Sequence, residues 1–252
     1  MLKAYKYRLY PNKEQQEYFA KCFGCVRFIY NRMLSDKIEY YKETKQKLNN
    51  TPAQYKKEFP WLREVDSLAL ANAQMNLQSA YNNFFKRPEV GFPKFKSKKR
   101  HYYSYTTNNQ CGNIYVSDRY IKLPKIGLVR VKKHRGFDGI IKSVTVSKTP
   151  SEKYYVSVLV DCEEQEKLPK SENEIGIDLG IKEFAIISDG EMIENPKYLR
   201  KSEQKMIKLQ NDLSRCQKGS KNREKCRIKV AKQHEKIFYR NYLQDLFVKI
   251  KQ

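Results

Sequence analysis

Asp178 is a carboxylate in the middle of an apolar stretch whose alternating residue types predict a β-strand. The apolar stretch lies at the start of residues 174–193, whose sequence is EIGIDLGIKEFAIISDGEMI. On a strand, Asp178 shares its face with Gly176 and Gly180. The opposite face carries Ile175, Ile177, Leu179 and Ile181. A buried carboxylate is costly unless a cation or hydrogen-bond donors compensate it, so we expect a partner beside Asp178.

Three kinds of site place an aspartate in such a strand. It is a structural aspartate next to a turn, the phosphate loop of an actin-like ATPase, in which similar GIDLG strings occur, or the first metal-binding carboxylate of an RNase H-like nuclease. The two glycines leave room for a metal ion and a nucleic-acid backbone. Mg²⁺ takes oxygen ligands, commonly one or two carboxylates together with substrate phosphates. The ATPase interpretation predicts more glycine or threonine directly after the string, where this chain has IKEFA.

A basic loop forms the second candidate site. Its cations are Lys94, Lys96, Lys98, Lys99 and Arg100. Three aromatic residues lie beside them, Phe92, Phe95 and Tyr102. Cations interleaved with aromatic rings suit a phosphate backbone and unstacked bases, so the loop is predicted to bind nucleic acid. The alternative is a solvated charge run around a structural Pro-Phe anchor, and we expect Phe92 and Phe95 to pack rather than to stack on bases.

Two asparagines lie one turn apart on the helix predicted over residues 67–86, at positions Asn72 and Asn76. Amide side chains at this spacing can read the edges of bases. A solvated polar face is the alternative interpretation.

The charge of the chain points to a polyanionic partner. Its 252 residues carry 51 Lys and Arg against 28 Asp and Glu, a formal net charge of +23. The excess is clustered, with seventeen basic and five acidic residues in the stretch 195–252. An anionic membrane is the competing partner, but the basic helices have narrow apolar faces. We expect no membrane association and a cytoplasmic protein, since neither a membrane span nor a signal peptide is recognisable.

The six cysteines are scattered, and we expect reduced thiols. Cys22 and Cys25 form the single CxxC, inside a predicted helix and with no second pair. Because a structural zinc site needs four ligands, no zinc is expected. The three histidines are isolated and suggest neither a catalytic triad nor a metal site.

Periodicity divides the chain into three regions. A strand over 2–10 precedes a helix capped by Asn12 that continues to about Leu48, and a Pro-bounded connector leads to the helix at 67–86. Six short strands are predicted between 102 and 161, as in a small β-barrel or sandwich. After an acidic linker come the strands around Asp178 and then two basic helices that form a hairpin.

The chain resembles TnpB, the OrfB-type protein of bacterial insertion sequences that is ancestral to type V CRISPR effectors. The resemblance covers nearly all of the 252 residues and lies in an ordered set of segments. These are YKYRLYPNKEQ, FGCVRFIYNRML, GFPKFKSKK, IKLPKIGLVRVKKHR, IKSVTVSKTPSEKYYVSVLVD, IGIDLGIKEFAIISDG and QKGSKNREKCRIKVAKQHEKI.

This resemblance implies a guide RNA, a target DNA cut next to a short transposon-adjacent motif, and Mg²⁺ as cofactor. It implies a RuvC nuclease domain of the RNase H-like fold, in which Asp178 matches the first catalytic aspartate and is a Mg²⁺ ligand of an incomplete site. It also makes the helix carrying Asn72 and Asn76 a reader of that motif.

The chain departs from the family pattern after the basic helices. The family has a glutamate and a second aspartate on later strands, with a zinc ribbon between them. The acidic residues after Pro196 all fall in predicted basic helices, at Glu203, Asp212, Glu224, Glu235 and Asp245. Two-metal chemistry needs several convergent carboxylates. We therefore expect a chain truncated at its C-terminus and incompetent for cleavage, although the family is a Mg²⁺-dependent DNA endonuclease.

Together these observations predict an α+β fold. A helical bundle is inserted in an oligonucleotide-binding-like β-barrel, and an incomplete RNase H-like (RuvC) α/β domain follows. The expected domains are a wedge of residues 1–10 and 102–165, a helical recognition lobe of residues 11–101 with the basic loop, and a partial RuvC domain of residues 166–252. The expected function is that of a transposon-associated RNA-guided DNA endonuclease. The alternative is a non-catalytic nucleic-acid-binding relic or repressor, and an actin-like ATPase is a weaker third.

Overall fold

A computed structural model describes residues 1–100, 103–163, 174–180, 182–195 and 197–250. The side chains of residues 88, 100, 198, 199, 201 and 239–250 are outside this description. So are residues 164–173, which make up most of the predicted acidic linker at 163–174. The chain divides into two compact units. The first comprises Met1–Thr149 and Lys153–Glu164, and the second Pro150–Glu152 and Gln165–Gln252.

The structure is a mixed α+β fold with antiparallel sheets. Its strands are β1 Leu2–Tyr10, β2 Tyr103–Asn108, β3 Tyr115–Val116, β4 Tyr120–Leu123, β5 Gly127–Lys132, β6 Ile140–Lys148, β7 Tyr154–Asp161, β8 Ile177–Leu179, β9 Glu183–Ile187 and β10 Met192–Glu194. Its α-helices are α1 Lys13–Thr44, α2 Pro52–Glu58, α3 Ser67–Lys86, α4 Tyr198–Arg215 and α5 Lys221–Ile250. Short 3₁₀ helices occur at Pro60–Arg63, Pro88–Val90 and Lys98–Arg100.

The first unit is built on one seven-stranded sheet, in the order β2-β6-β7-β1-β5-β4-β3. The N-terminal strand β1 lies inside this sheet because it pairs with β7 on one side and with β5 on the other. Among the described residues β2 and β3 are edge strands, so the structure shows an antiparallel sheet and no closed barrel. Strand β3 has two residues, which limits what it can pair with.

Helix α1 covers one face of this sheet with an apolar stripe. Asn12 and Gln15 form the expected capping box at its start, with Asn12 Oδ1 accepting from the Gln15 N–H at 2.8 Å. The fully buried Phe19 ring lies 6.2 Å from Tyr105 of β2 and 5.8 Å from Tyr154 of β7, measured between centroids. This packing places the core between the sheet and the helices.

The helix α1 ends earlier than its apolar pattern predicts. It stops at Thr44 instead of about Leu48, because Lys45 adopts a left-handed conformation with φ 57° and its N–H caps the Tyr41 carbonyl. The connector that follows is also more regular than expected. It contains the helix α2, which starts with Pro52 at a position where a missing N–H costs nothing.

The second unit contains the three-stranded sheet β10-β9-β8 and the helices α4 and α5. Asp178 lies in β8 opposite Ile186 of β9, and Met192 of β10 lies opposite Ile186 on its other side. Ala185 and Ile187, on the other face of β9, are buried. In the described part of the chain β8 is an edge strand. No described helix is long and apolar enough to cross a membrane.

Candidate nucleic-acid interface

The basic loop is fixed to α1 by one asparagine. The backbone N–H of Lys96 donates to Asn31 Oδ1 at 2.8 Å, and Asn31 Nδ2 donates to the Lys96 carbonyl at 2.9 Å. The Asn31 side chain thus satisfies both backbone groups of Lys96, as a neighbouring β-strand would. It fixes the backbone of the loop at Lys96, between the neighbouring cations Lys94 and Lys98.

The cations of this loop have different environments. Lys96 Nζ lies 4.1 Å from the centroid of the Tyr30 ring, and burial of the ammonium group lowers the pKa of Lys96. Lys94, Lys98 and Lys99 are exposed, and the side chain of Arg100 is outside the described residues. Lys96 is exposed as well, and it stays a predicted binding residue that also contacts the Tyr30 ring of α1.

The two phenylalanines of the loop also differ. Phe92 lies edge-on to Tyr81 and Phe84, with centroid distances of 5.6 and 5.5 Å, so it packs against α3 as expected. Phe95 is 56% exposed and makes no ring contact within the described residues. Its position between Lys94 and Lys96 leaves a free aromatic face beside the cations, which the expected packing role does not explain.

The two asparagines of α3 have separate roles. Asn72 is half-buried, and its amide donates to the Leu68 carbonyl at 2.9 Å and to Asn108 Oδ1 of β2 at 3.4 Å. Asn76 is exposed on the next turn. The geometry leaves Asn76 available to a ligand, whereas the donors of Asn72 serve the contact between the helix and the sheet.

A further cationic surface, not identified among the predicted sites, lies on the sheet face opposite α1. Lys6, Arg8 and Tyr10 of β1 point to this face, because their neighbours Tyr7 and Leu9 are buried. Tyr155 of β7 lies opposite Arg8, and Arg130 of β5 lies opposite Tyr10. The three strands thus bring cations and tyrosines together from distant parts of the sequence.

These five side chains alternate as a ladder of cations and rings, here called the β1 ladder. Lys6 Nζ is 4.9 Å and the Arg8 guanidinium 5.0 Å from the Tyr155 centroid. The Arg8 and Arg130 guanidinium groups lie 5.6 and 5.9 Å from the Tyr10 centroid. Tyr10 is 49% exposed, and Lys6 and Arg130 are exposed at the two ends. The ladder presents positive charge and an accessible ring together.

Asp178 is exposed, contrary to the burial that its apolar strand suggested. The apolar Leu179 beside it is 65% exposed, so the described residues cover neither face at this end of β8. A solvated carboxylate carries no desolvation penalty, and the structure gives no physical requirement for a partner. The absence of a side chain at Gly180 also relieves crowding within the protein, because a Cβ there would lie 3.0 Å from the Glu183 carbonyl oxygen.

The described residues around Asp178 do not complete a Mg²⁺ site of the nuclease type. Among them, no group of three or more His, Cys, Asp or Glu side chains is arranged to hold a metal ion. Two-metal chemistry requires several carboxylates on ions about 4 Å apart. Asp178 can supply one ligand, and the mechanism of a cleavage step cannot be built on it alone.

Cys22 and Cys25 are both buried in α1 as free thiols. Burial raises the pKa of Cys22 to about 12 and that of Cys25 to about 11. Metal binding needs thiolates, so this environment disfavours it. The two residues pack as small apolar side chains in the core.

Two sequence profiles of one family match the chain, and together they cover more than half of it. The profile of the helix-turn-helix domain of OrfB proteins from IS605-type elements matches residues 1–46, where the structure has β1 and the single continuous helix α1. The profile described as the probable transposase OrfB of IS605 matches residues 157–251.

Two curated relatives match nearly all of the chain. Both carry RNA-guided DNA endonuclease as a provisional name. The protein from Streptomyces pristinaespiralis is 32% identical over 93% of this chain and 60% of its own length. InsQ from Escherichia coli K12 is 30% identical over 96% of this chain and 61% of its own length. The chain therefore spans about three fifths of the length of these relatives.

Among solved structures, the chain is similar to a protein in the cryo-EM structure of a Cas12f1–sgRNA–target DNA complex. The match has a TM-score of 0.35 and 16% sequence identity, and it covers 100% of this chain and 71% of the other.

Proposed function

Because this chain belongs to the OrfB family of IS605-type insertion-sequence proteins, also called TnpB, we propose that it binds a guide RNA and a target DNA in an RNA-guided DNA endonuclease. The observation that carries the proposal is the basic loop, in which Asn31 fixes the backbone at Lys96 while the neighbouring lysines stay exposed. Preplaced cations bind phosphates without the entropy cost of ordering a mobile loop.

In this proposal the phosphate contacts and the base contacts come from different surfaces. Lys94, Lys98 and Lys99 contact the backbone and supply affinity that does not depend on sequence. Phe95 and the exposed Tyr10 of the β1 ladder stack on unpaired bases, and Asn76 reads base edges. The formal net charge of +23 supplies the long-range attraction that brings a polyanion to these surfaces.

The domain roles follow the family. The seven-stranded sheet, formed by β1 together with β2 to β7, is the oligonucleotide-binding-like wedge of residues 1–10 and 102–165. The helices between β1 and β2 form the recognition lobe of residues 11–101, and residues 166–252 form the RuvC-like part. Support comes from the pairing of β1 with β5 and β7, which joins the first ten residues to the later strands.

Asp178 contributes one carboxylate to a Mg²⁺ site in this proposal. The described residues around it do not complete that site, so the present chain is proposed to bind nucleic acid without cutting it. The actin-like ATPase interpretation has no supporting observation, and the family assignment is against it.

The test is equilibrium binding of a labelled single-stranded RNA of roughly 20 nucleotides, long enough to cover one binding site. In one variant Lys94, Lys98 and Lys99 are replaced by Glu. A control variant makes the same charge change at three exposed lysines of the helical region, Lys42, Lys47 and Lys57. We expect the loop variant to weaken binding at least about tenfold more than the control. Equal losses in the two variants would refute a role for the loop.

A further inference from the structure

Two cysteines meet across the turn that joins α4 to α5. The thiol of Cys216 donates a hydrogen bond to Cys226 Sγ, and the two sulfurs are 3.6 Å apart. A disulfide bond requires about 2.05 Å, so rotation of the two side chains has to close the remaining gap. Both cysteines are half-buried, which leaves the sulfur pair partly accessible to a small reagent.

The turn between these cysteines is held by contacts that do not involve sulfur. The guanidinium of Arg223 donates from Nη1 to the Leu213 carbonyl at 2.8 Å and to the Cys216 carbonyl at 3.0 Å. Ser220 Oγ accepts from the Arg223 N–H at 3.1 Å, which caps the start of α5. Gly219 has a φ of +85°, a conformation that other residues adopt only with strain.

These contacts orient the two thiols before any covalent bond forms. Arg223 bridges the last turn of α4 and the first turn of α5, so the hairpin does not have to search for the geometry that brings the sulfurs together. The pair is also not part of a larger metal site within the described residues, because no cluster of three or more metal-ligating side chains occurs among them. The chemistry available to this pair of thiols is therefore thiol–disulfide exchange.

We propose that Cys216 and Cys226 form a reversible disulfide that locks the α4–α5 hairpin, with a small-molecule disulfide such as oxidised glutathione as the oxidant. This proposal goes beyond the proposed function and does not depend on it. Two exposed lysines lie within the loop that the disulfide would close, Lys218 in the turn and Lys221 at the start of α5, so oxidation fixes the basic surface of the hairpin in one geometry.

The reaction balances as two successive thiol–disulfide exchanges. The thiolate of one cysteine attacks the oxidised glutathione, and the first glutathione leaves as a thiolate that takes up the released proton. The second cysteine then attacks the mixed disulfide, and the second glutathione leaves with the proton of that cysteine. The cysteine pair loses two electrons and two protons, and one oxidised glutathione becomes two reduced molecules.

The test uses the full chain treated with oxidised glutathione at mildly alkaline pH, since the hydrogen bond with Cys226 raises the pKa of Cys216. Remaining thiols are alkylated, and tryptic peptides are identified by mass spectrometry. Trypsin cuts between the two cysteines, at Lys218 and Lys221 among other sites, so a disulfide appears as two joined peptides. We expect this linkage to form at least about tenfold faster than a glutathione adduct on the exposed Cys111.

Two variants separate the proposal from ordinary thiol oxidation. Cys111→Ser leaves the linkage unchanged, because Cys111 supplies neither of its two sulfurs. Cys226→Ser removes the resolving thiol, so Cys216 accumulates as a stable mixed disulfide with glutathione. The proposal is overturned if, in the wild-type chain, both cysteines are recovered alkylated while Cys111 carries glutathione, or if each of the two carries its own glutathione.

Discussion

The buried carboxylate of Asp66 accepts a hydrogen bond from the hydroxyl of Thr107, and this contact joins the start of α3 to β2. The second carboxylate oxygen accepts from the Leu68 N–H at 3.2 Å, so the same residue caps the helix. One turn later the Asn72 amide reaches Asn108 of β2. Two contacts in the first turns of α3 thus orient the helix that carries the exposed Asn76.

Thr107→Val should destabilise the fold by about 1–3 kcal/mol, because it leaves a buried carboxylate oxygen without its donor. The matched control is Thr106→Val in the same strand. The Thr106 hydroxyl contacts the Thr145 hydroxyl at 2.8 Å in a half-buried position, where water can replace it. Urea denaturation of both variants measures the difference. If Thr106→Val costs as much as Thr107→Val, the contact between Asp66 and Thr107 is not the anchor.

The thiol of Cys22 should make stability depend on alkaline pH. Burial raises its pKa to about 12 in the folded chain, against about 8.5 for an ordinary cysteine. A raised pKa gives a stability contribution that is complete below the unfolded value and lost as pH rises toward the folded value. The free energy of unfolding should therefore fall between about pH 8.5 and 12.

Cys22→Ala tests this dependence, because alanine removes the titrating group and tyrosines that ionise in the same range remain in both proteins. The variant should lose less stability than the wild type over that range, measured by denaturation at a series of pH values. Parallel curves for the two proteins would show that Cys22 does not titrate differently on folding.

The helices and strands near the site could be predicted from local sequence, but several contacts between them could not. The predicted strands and the helix over 67–86 are present because their periodicity and caps are local signals. The β1 ladder depends on registers between distant strands, Arg8 with Tyr155 and Tyr10 with Arg130. The sequence shows only one part of it: alternation along β1 places Lys6, Arg8 and Tyr10 on the same exposed face.

The environment of Asp178 was not predictable for another reason. Apolar neighbours such as Leu179 indicated burial, but burial depends on what covers a strand, and the described residues leave Leu179 65% exposed. The cation–π contact of Lys96 was not predictable either, since nothing in its lysine-rich surroundings indicates that its ammonium lies over Tyr30 of a distant helix. Both depend on tertiary packing.

The asparagines of α3 should respond differently to truncation. Asn72→Ala removes the amide that contacts Leu68 and Asn108, so it should lower stability by about 1 kcal/mol. Asn76→Ala removes an exposed amide, so it should leave stability within about 0.5 kcal/mol while weakening the discrimination between DNA sequences. Thermal denaturation and competition binding measure the two effects. A stability loss at Asn76, or unchanged discrimination, would contradict this division.

Asp178 should be nearly idle in catalysis by this chain. With RNA and Mg²⁺, the purified 252-residue protein should leave target DNA uncut, because one carboxylate cannot hold two ions or orient a water for attack. Asp178→Ala should bind RNA as well as the wild type, since the exposed carboxylate repels phosphate if it acts at all. Efficient cleavage that disappears in Asp178→Ala would show that other carboxylates complete the site.

The salt dependence of RNA binding tests the central claim most directly, namely that fixed cations on this chain neutralise phosphates. The dissociation constant is measured at several salt concentrations, for the wild type and for the variant with Glu at Lys94, Lys98 and Lys99. The logarithm of affinity should fall linearly with the logarithm of salt concentration, and the slope should be shallower by roughly two to three in the variant. A flat dependence for the wild type, or the same slope in both proteins, would contradict the account.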